Sequence, residues 1–251
     1  MILFLPRKVN VSAGSALDSR VIIRYTETIK FTEATIMRIL QPEFPEPLYP
    51  ADFSAAVSEY RDTEERIEQK IFKNFRAENE RFGHAEFFGC VFENCKFNDC
   101  AFERFEYTNA VFRGCDFSNG SLRNSYFKQC AFLQSKWMGA DLSESVLKEI
   151  VATGCNFSYA NLNAEKMQNA CWKECDFSFA DVAMGKLKGV AFSKCDFTRV
   201  NFYTTSLKGI NLSDSKLSGI EISADLSELK GATINAVQAA DLIKNLGVIV
   251  Q

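Results

Sequence analysis

The residues able to carry chemistry are few, and their spacing argues against a reaction centre. His84 is the single histidine in 251 residues, so any nucleophile needing a histidine base would depend on it alone. No G-x-S-x-G elbow, no Walker A phosphate loop and no H-E-x-x-H helix is present. There are nine cysteines. Eight of them, Cys90, Cys95, Cys100, Cys115, Cys130, Cys155, Cys175 and Cys195, are separated by multiples of five; only Cys171 falls outside the series. Metal sites use C-x₂-C-type spacings with histidine or cysteine partners. Thiols at five-residue intervals read instead as compact core fillers, and a set of reduced cysteines fits a reducing compartment. Carboxylate pairs recur as letters of the same period. The expectation is a chain that is not an enzyme and carries no cofactor and no metal.

That period is the element that must position everything else. Stepping in fives from Phe72 to Ile222 meets an apolar residue every time, as in Phe92, Phe97, Phe102, Tyr107, Phe112, Phe117 and Leu122. Two residues earlier runs a second series, mostly small: Cys90, Cys95, Cys100, Ala110, Cys115, Ser125, Cys130 and onward. Helices repeat their apolar residues every three to four positions and strands every two. A period of five fits a solenoid with one short flat side per repeat, where one large and one small side chain point inward. Glu80 and Glu165 take the small inward place, and since burying a charge is costly, local distortion or solvent access is expected there.

The segments Ala140-Asp141-Leu142-Ser143-Glu144, Ala160-Asn161-Leu162-Asn163-Ala164 and Cys175-Asp176-Phe177-Ser178-Phe179 resemble the A-(D/N)-L-x-x unit of the pentapeptide-repeat proteins. The resemblance covers about three fifths of the chain. It implies an all-β solenoid, a right-handed quadrilateral parallel β-helix with four pentapeptides per coil. With coils about 4.8 Å apart, seven to eight of them make a rod on the order of 35 to 40 Å long.

Three regions are expected: an N-terminal extension over residues 1–66, the repeat over 67–230, and a C-terminal helix with an apolar tail over 231–251. The extension carries strand-like stretches at Arg20–Tyr25 and Ile29–Thr32, then four of the five prolines, between Pro42 and Pro50. Residues 53–69 read as a short helix or an irregular first coil. From residue 72 on there is no proline, as continuous ladders require. Asn235 can cap a helix whose Val237, Ala240, Ile243 and Leu246 share a face. An exposed solenoid end must be covered, and this helix is the expected lid. The first residues lack a signal-like pattern and no apolar run reaches membrane-spanning length, so a cytoplasmic, membrane-free location is expected.

The remaining source of function is the outer surface. With twenty residues per coil, the residue before the central one gives acid- and amide-rich columns: Asp116, Lys136, Asn156, Asp176, Asp196 on one side and Asp141, Asn161, Asp181, Asn201 on the next. A third side carries Lys128, Lys148, Lys166, Lys186, Lys188 and Lys208. The fourth presents an apolar column, Val91, Val111, Ala131, Val151, Cys171 and Ala191, which the 1–66 extension is expected to cover. Tyr159, Phe179, Met184 and Tyr203 point outward beside Asp141, Asp176, Asp181 and Asp196, a candidate partner-binding patch. The Asp and Asn columns also have a structural reading, as side chains that hydrogen-bond nearby backbone at the corners.

The ending Leu246-Gly247-Val248-Ile249-Val250 is similar to that of the Qnr-type quinolone-resistance members of the family. The similarity implies a homodimer through Leu242, Ile243, Leu246, Val248, Ile249 and Val250. It also implies a type II topoisomerase as protein partner, DNA gyrase or topoisomerase IV, bound by imitation of DNA and giving quinolone or toxin protection, without direct nucleic-acid binding. Two features depart from that pattern: no loop interrupts the repeat between 72 and 222, and a net charge of −3 is a poor copy of a polyphosphate. The alternative is an interaction module with an unrelated protein partner.

Overall fold

The computed structural model describes residues 42, 47–102, 104–244 and 248–249. It is a parallel β-solenoid of about seven turns closed by a small C-terminal helix. Between Ile67 and Glu221 the paired wall residues lie twenty positions apart in parallel register, as in Ile67↔Phe87, Tyr107↔Phe127 and Asn201↔Glu221. Four walls result, named here by their central residues. Wall I runs through Phe72, Phe92 and Phe112, wall II through Phe97, Phe117 and Trp137, wall III through Phe102, Leu122 and Leu142, and wall IV through Phe87, Tyr107 and Phe127. Walls IV and I merge in the later coils into eight-residue strands such as Tyr126–Leu133 and Val146–Thr153. Walls II and III are held by single bridges followed by tight turns, as Asp116↔Lys136 and Asp141↔Asn161.

The five-residue unit turns because its last residue sits in the left-handed region. Asn74, Asn79, Asn94, Asn109, Asn119 and Asn124 all have φ between 53° and 57°. Asparagine and glycine take that conformation at least cost, which explains their recurrence. Inside, the large side chains stack in columns. Phe97 and Phe117 lie 4.9 Å apart, Phe117 and Trp137 4.4 Å, and Trp137 and Phe157 5.7 Å at only 3° between planes. Successive walls meet edge to face, as in Phe112–Phe117 at 73°, so the core combines both favoured aromatic geometries.

The small column does more than fill space. All nine cysteines are buried free thiols. Cys115 Sγ donates to the Phe92 carbonyl at 3.4 Å, and Ser135 Oγ, one coil on, makes the equivalent bond to Phe112 at 3.2 Å. Thiol and hydroxyl are thus interchangeable donors to corner carbonyls. Burial pushes the Cys90 and Cys130 thiols up to about 12, which removes the reactive thiolate. Glu165 corrects an expectation: it is 0% exposed, and the ladder passes through it unbroken from Val146↔Lys166 to Lys166↔Lys186. Gly185 beneath it provides the room. Glu80 is exposed.

Both ends are plugged by helices, α1 over Phe53–Thr63 and α2 over Ala236–Lys244. Asp52 caps α1 by accepting from the Ala55 N–H at 2.9 Å. Phe53 then drops into the open coil, 4.9 Å from the Phe97 ring and 5.5 Å from Phe72. Asn235 and Gln238 cap α2 reciprocally: the Gln238 N–H donates to Asn235 Oδ1 and the Asn235 N–H to Gln238 Oε1. The face of α2 against the rod is Gln238 and Leu242, whereas Val237 and Ile243 are exposed, which reverses the face expected from spacing. The reason is polar. Gln238 Nε2 donates to the Leu212 and Ser215 carbonyls at 2.9 and 2.6 Å, satisfying acceptors that the last coil leaves open.

Val91, Val111 and Val151 are buried at 1, 1 and 5% exposure, and the first two cluster with Leu48 and Ile71. Tyr49–Pro50 adds a short strand to Lys70–Ile71. Residues 53–63 do not lie along this column, because α1 turns over the end of the rod to place Phe53 on Phe72 and Phe97; the strands expected at 20–25 and 29–32 lie outside the described residues.

Candidate functional site

Walls II and III carry the acid- and amide-rich columns, and the bridges place them as the repeat arithmetic requires. Asp116, Lys136, Asn156, Asp176, Asp196 and Lys216 follow in one line, and Asp141, Asn161, Asp181 and Asn201 in the next. Each acid or amide side chain has a local task. Asp141 Oδ1 accepts from the Ser143 N–H at 3.0 Å, Asp176 Oδ1 from Ser178 at 2.8 Å, Asp181 Oδ1 from Ala183 at 3.3 Å and Asp196 Oδ1 from Thr198 at 3.0 Å. The amide side chains do the same, as Asn201 Oδ1 with Tyr203 N–H at 2.9 Å. These are the Asx-type bonds that hold a tight turn.

Three of the four nominated carboxylates also meet a neighbour with their second oxygen. Asp141 Oδ2 lies 3.5 Å from Arg123, Asp181 Oδ2 accepts from Asn163 Nδ2 at 2.6 Å, and Asp196 Oδ2 meets Lys216 Nζ at 2.8 Å. Partial burial would raise the Asp196 carboxyl, but the bonds from Lys216 and Thr198 outweigh it and hold it below the usual carboxylate range. The columns are therefore a hydrogen-bonded lattice in which Asp141 and Asp196 also have a cationic partner.

The apolar members of the patch are different. Tyr159 is 61% exposed, Phe179 42%, Met184 57% and Tyr203 55%. Tyr159 and Phe179 stack at 4.9 Å with 6° between planes, and the Arg199 guanidinium lies 5.7 Å from the Phe179 centroid. These residues edge wall III. Tyr159, Phe179 and Arg199 line the corner it shares with wall II, and Met184 stands at the opposite corner. Tyr159, Phe179 and Met184 also have φ of 59°, 60° and 58°. A bulky residue there costs on the order of 1–2 kcal/mol relative to glycine; equivalent corners use Asn119, Gly139 and Gly219, and also Asp99, Arg104, Glu144 and Thr204. Arg199 was absent from the sequence expectation, although its place twenty residues after Phe179 puts it in the same corner column.

Of the expected dimer residues, Leu242 is buried against the rod, while Ile243, Val248 and Ile249 are 39, 50 and 86% exposed. Leu246 and Val250 lie outside the described residues. His84 sits at the surface, Nδ1 2.7 Å from the Arg104 carbonyl and Nε2 3.7 Å from Glu86. No cluster of His, Cys, Asp or Glu able to hold a metal occurs among the described residues. None of the described helices is long and apolar enough to cross a membrane.

Geometry and sequence define the class: a β-solenoid whose coils are four five-residue units. The pentapeptide repeats model matches eight copies, over residues 85–129, 138–164 and 186–219, and the rod belongs to that family. Among solved structures, trypsin-treated QnrB1, a plasmid-mediated fluoroquinolone resistance protein, is 23% identical over 72% of this chain and 90% of its own, with a TM-score of 0.45. HetL, involved in heterocyst differentiation regulation in the cyanobacterium Nostoc sp. strain PCC 7120, is 13% identical over 73% and 97%, with a TM-score of 0.24. No curated protein matches the chain.

Proposed function

We propose that this chain is a non-catalytic docking scaffold that holds a protein partner against wall III. The reading rests on one observation: Tyr159, Phe179 and Met184 are large, exposed and placed at left-handed corners. Other left-handed corners carry polar or charged side chains such as Gln129, Glu144 and Lys194; large apolar side chains left exposed at such corners mark a contact surface. Flat walls, aromatic anchors and a polar surround with its hydrogen bonds satisfied suit a rigid platform for another protein.

A type II topoisomerase is the more specific partner, and what supports it is the Qnr-like ending. Asp141 and Asp196, each paired with a cation, and Asp181, engaged by two amides, favour contact through the aromatic corner over imitation of DNA charge. In the same reading the exposed Ile243, Val248 and Ile249 join two copies tail to tail, with Leu246 and Val250. Domain roles follow: 1–66 is an extension whose Leu48–Pro50 lies on wall I and whose α1 plugs the first coil, 67–230 is the platform, and 231–251 is cap and dimer contact.

The test has two arms. A photo-crosslinking side chain at Tyr203 should give a discrete protein adduct in cells, lost when Tyr159 and Phe179 become Asn; no adduct, or one unaffected by those changes, overturns the docking reading. Purified DNA gyrase and topoisomerase IV are assayed with and without ciprofloxacin. Lack of binding, inhibition and protection at micromolar protein removes the topoisomerases and leaves another partner.

A further inference from the structure

Wall IV carries an ordered column that neither the docking patch nor the repeat explains. Parallel pairing sets Glu86, Glu106, Tyr126, Val146, Lys166 and Lys186 one above another, in that order. Two acids are followed by two apolar residues and then two bases. Glu106, Lys166 and Lys186 are exposed, and Tyr126 and Val146 are half-buried. None of Glu106, Lys166 or Lys186 forms an ion pair among the described residues, and Glu86 meets His84 at 3.7 Å and Tyr60 Oη at 3.5 Å. Like charges stacked directly opposite on neighbouring strands are unfavourable, so the rod gains nothing from this order by itself.

We propose that wall IV is a self-complementary face that takes a second copy of this chain, antiparallel and wall to wall. A two-fold axis crossing the rod between Tyr126 and Val146 sets Glu86 opposite the second copy's Lys186. Glu106 then faces Lys166, and Tyr126 faces Val146. The two columns share one pitch, so every level meets its complement at once. One level is unfavourable: Lys128 faces Lys148. A strip about seven coils long and one wall wide is small by the standard of stable dimers, and its contacts are charged at both ends. The association is therefore weak, sensitive to salt and distinct from the tail contact.

The experiment is a charge-reversal cycle read by sedimentation at low ionic strength, with Ile249→Glu in every variant to silence the tail. Glu106→Lys and Lys166→Glu should each weaken association about tenfold or more. The double variant, in which the new Lys faces the new Glu, should restore it. Lys148→Glu should tighten it by removing the repulsive level, and added salt should dissociate all associating forms. Unchanged masses across the set would overturn the proposal. So would loss in Lys166→Glu that Glu106→Lys does not repair, since that pattern assigns the lysines to a foreign acidic partner. Circular dichroism and melting of each variant separate loss of pairing from loss of fold.

Discussion

The carboxyl group of Glu165 rests on Gly185, one coil further along: a β-carbon at Gly185 would stand 2.9 Å from Oε1 and 3.0 Å from Oε2. Neither oxygen has a hydrogen-bond partner in another of the described residues. Burial pushes this carboxyl from 4.5 up to about 8, so the rod carries it protonated near neutrality. The native state then binds the proton more tightly than the unfolded chain. Its stability is fully retained below about pH 4.5 and falls as pH rises towards about 8. Glu165→Ala should abolish this part of the slope and raise stability at pH 9 by on the order of 3 kcal/mol. Urea titrations between pH 5 and 9 check it; equal slopes for both proteins would refute it.

The same contact predicts a coupling. Gly185→Ala alone forces a methyl group against the carboxyl and should destabilise by about 1–3 kcal/mol. Combined with Glu165→Ala it should be neutral or stabilising, because alanine is the ordinary residue of the small column. A double-mutant cycle measures the difference, and additive effects would show that the carboxyl does not occupy that space.

Trp137 and Trp172 sit fully buried where most coils have phenylalanine or leucine, and neither indole N–H has a partner among the described residues. Replacing Trp137 by Phe should therefore cost less than about 1.5 kcal/mol, since it removes an unpaired donor and keeps the 4.4 Å stack on Phe117. Trp137→Ala, which opens the column, should cost about 3–5 kcal/mol. Chemical denaturation separates the two.

The rod was legible in the sequence because each coil repeats the same instruction. Phe97, Phe117 and Phe157 share a wall only if four units make a coil, and a period of five shows that arithmetic directly. Surface columns were legible for the same reason, which is how Tyr159, Phe179, Met184 and Tyr203 were found. What escaped was set by contacts at places where the repeat stops. Phe53 lies outside the register, and nothing in its neighbours marks it as the plug of the first coil. Gln238 turns inward because Leu212 and Ser215 offer open carbonyls, and an apolar-spacing argument ranks Val237 and Ile243 above it. Glu165 looked like a break because the repeat pattern does not reveal that Gly185, twenty residues on, clears a space for it.

Those end contacts are themselves testable. Gln238→Ala leaves the Leu212 and Ser215 carbonyls without their donor, at about 1–3 kcal/mol, and the loss should be local. Hydrogen exchange should rise in the last coils and not at Phe97 or Phe117. Phe53→Ala should instead expose the first coils and cost about 3–5 kcal/mol. Exchange that rises evenly along the rod in both variants would show that the ends are not independent caps.

The corner aromatics set stability against contact, and the balance can be measured without knowing the partner. Tyr159 and Phe179 each hold a φ near 60° that asparagine adopts at lower cost, and their mutual stacking at 4.9 Å returns part of that cost. Tyr159→Asn or Phe179→Asn alone should be close to neutral, because each loses the stack as it relieves one corner. Both together should stabilise the rod by about 1 kcal/mol. A more stable double variant that no longer forms the Tyr203 adduct would separate the two roles: the rod tolerates these residues, and the partner requires them. If the double variant instead melts lower, the aromatics are part of the rod's own packing, and wall III loses its claim as the docking face.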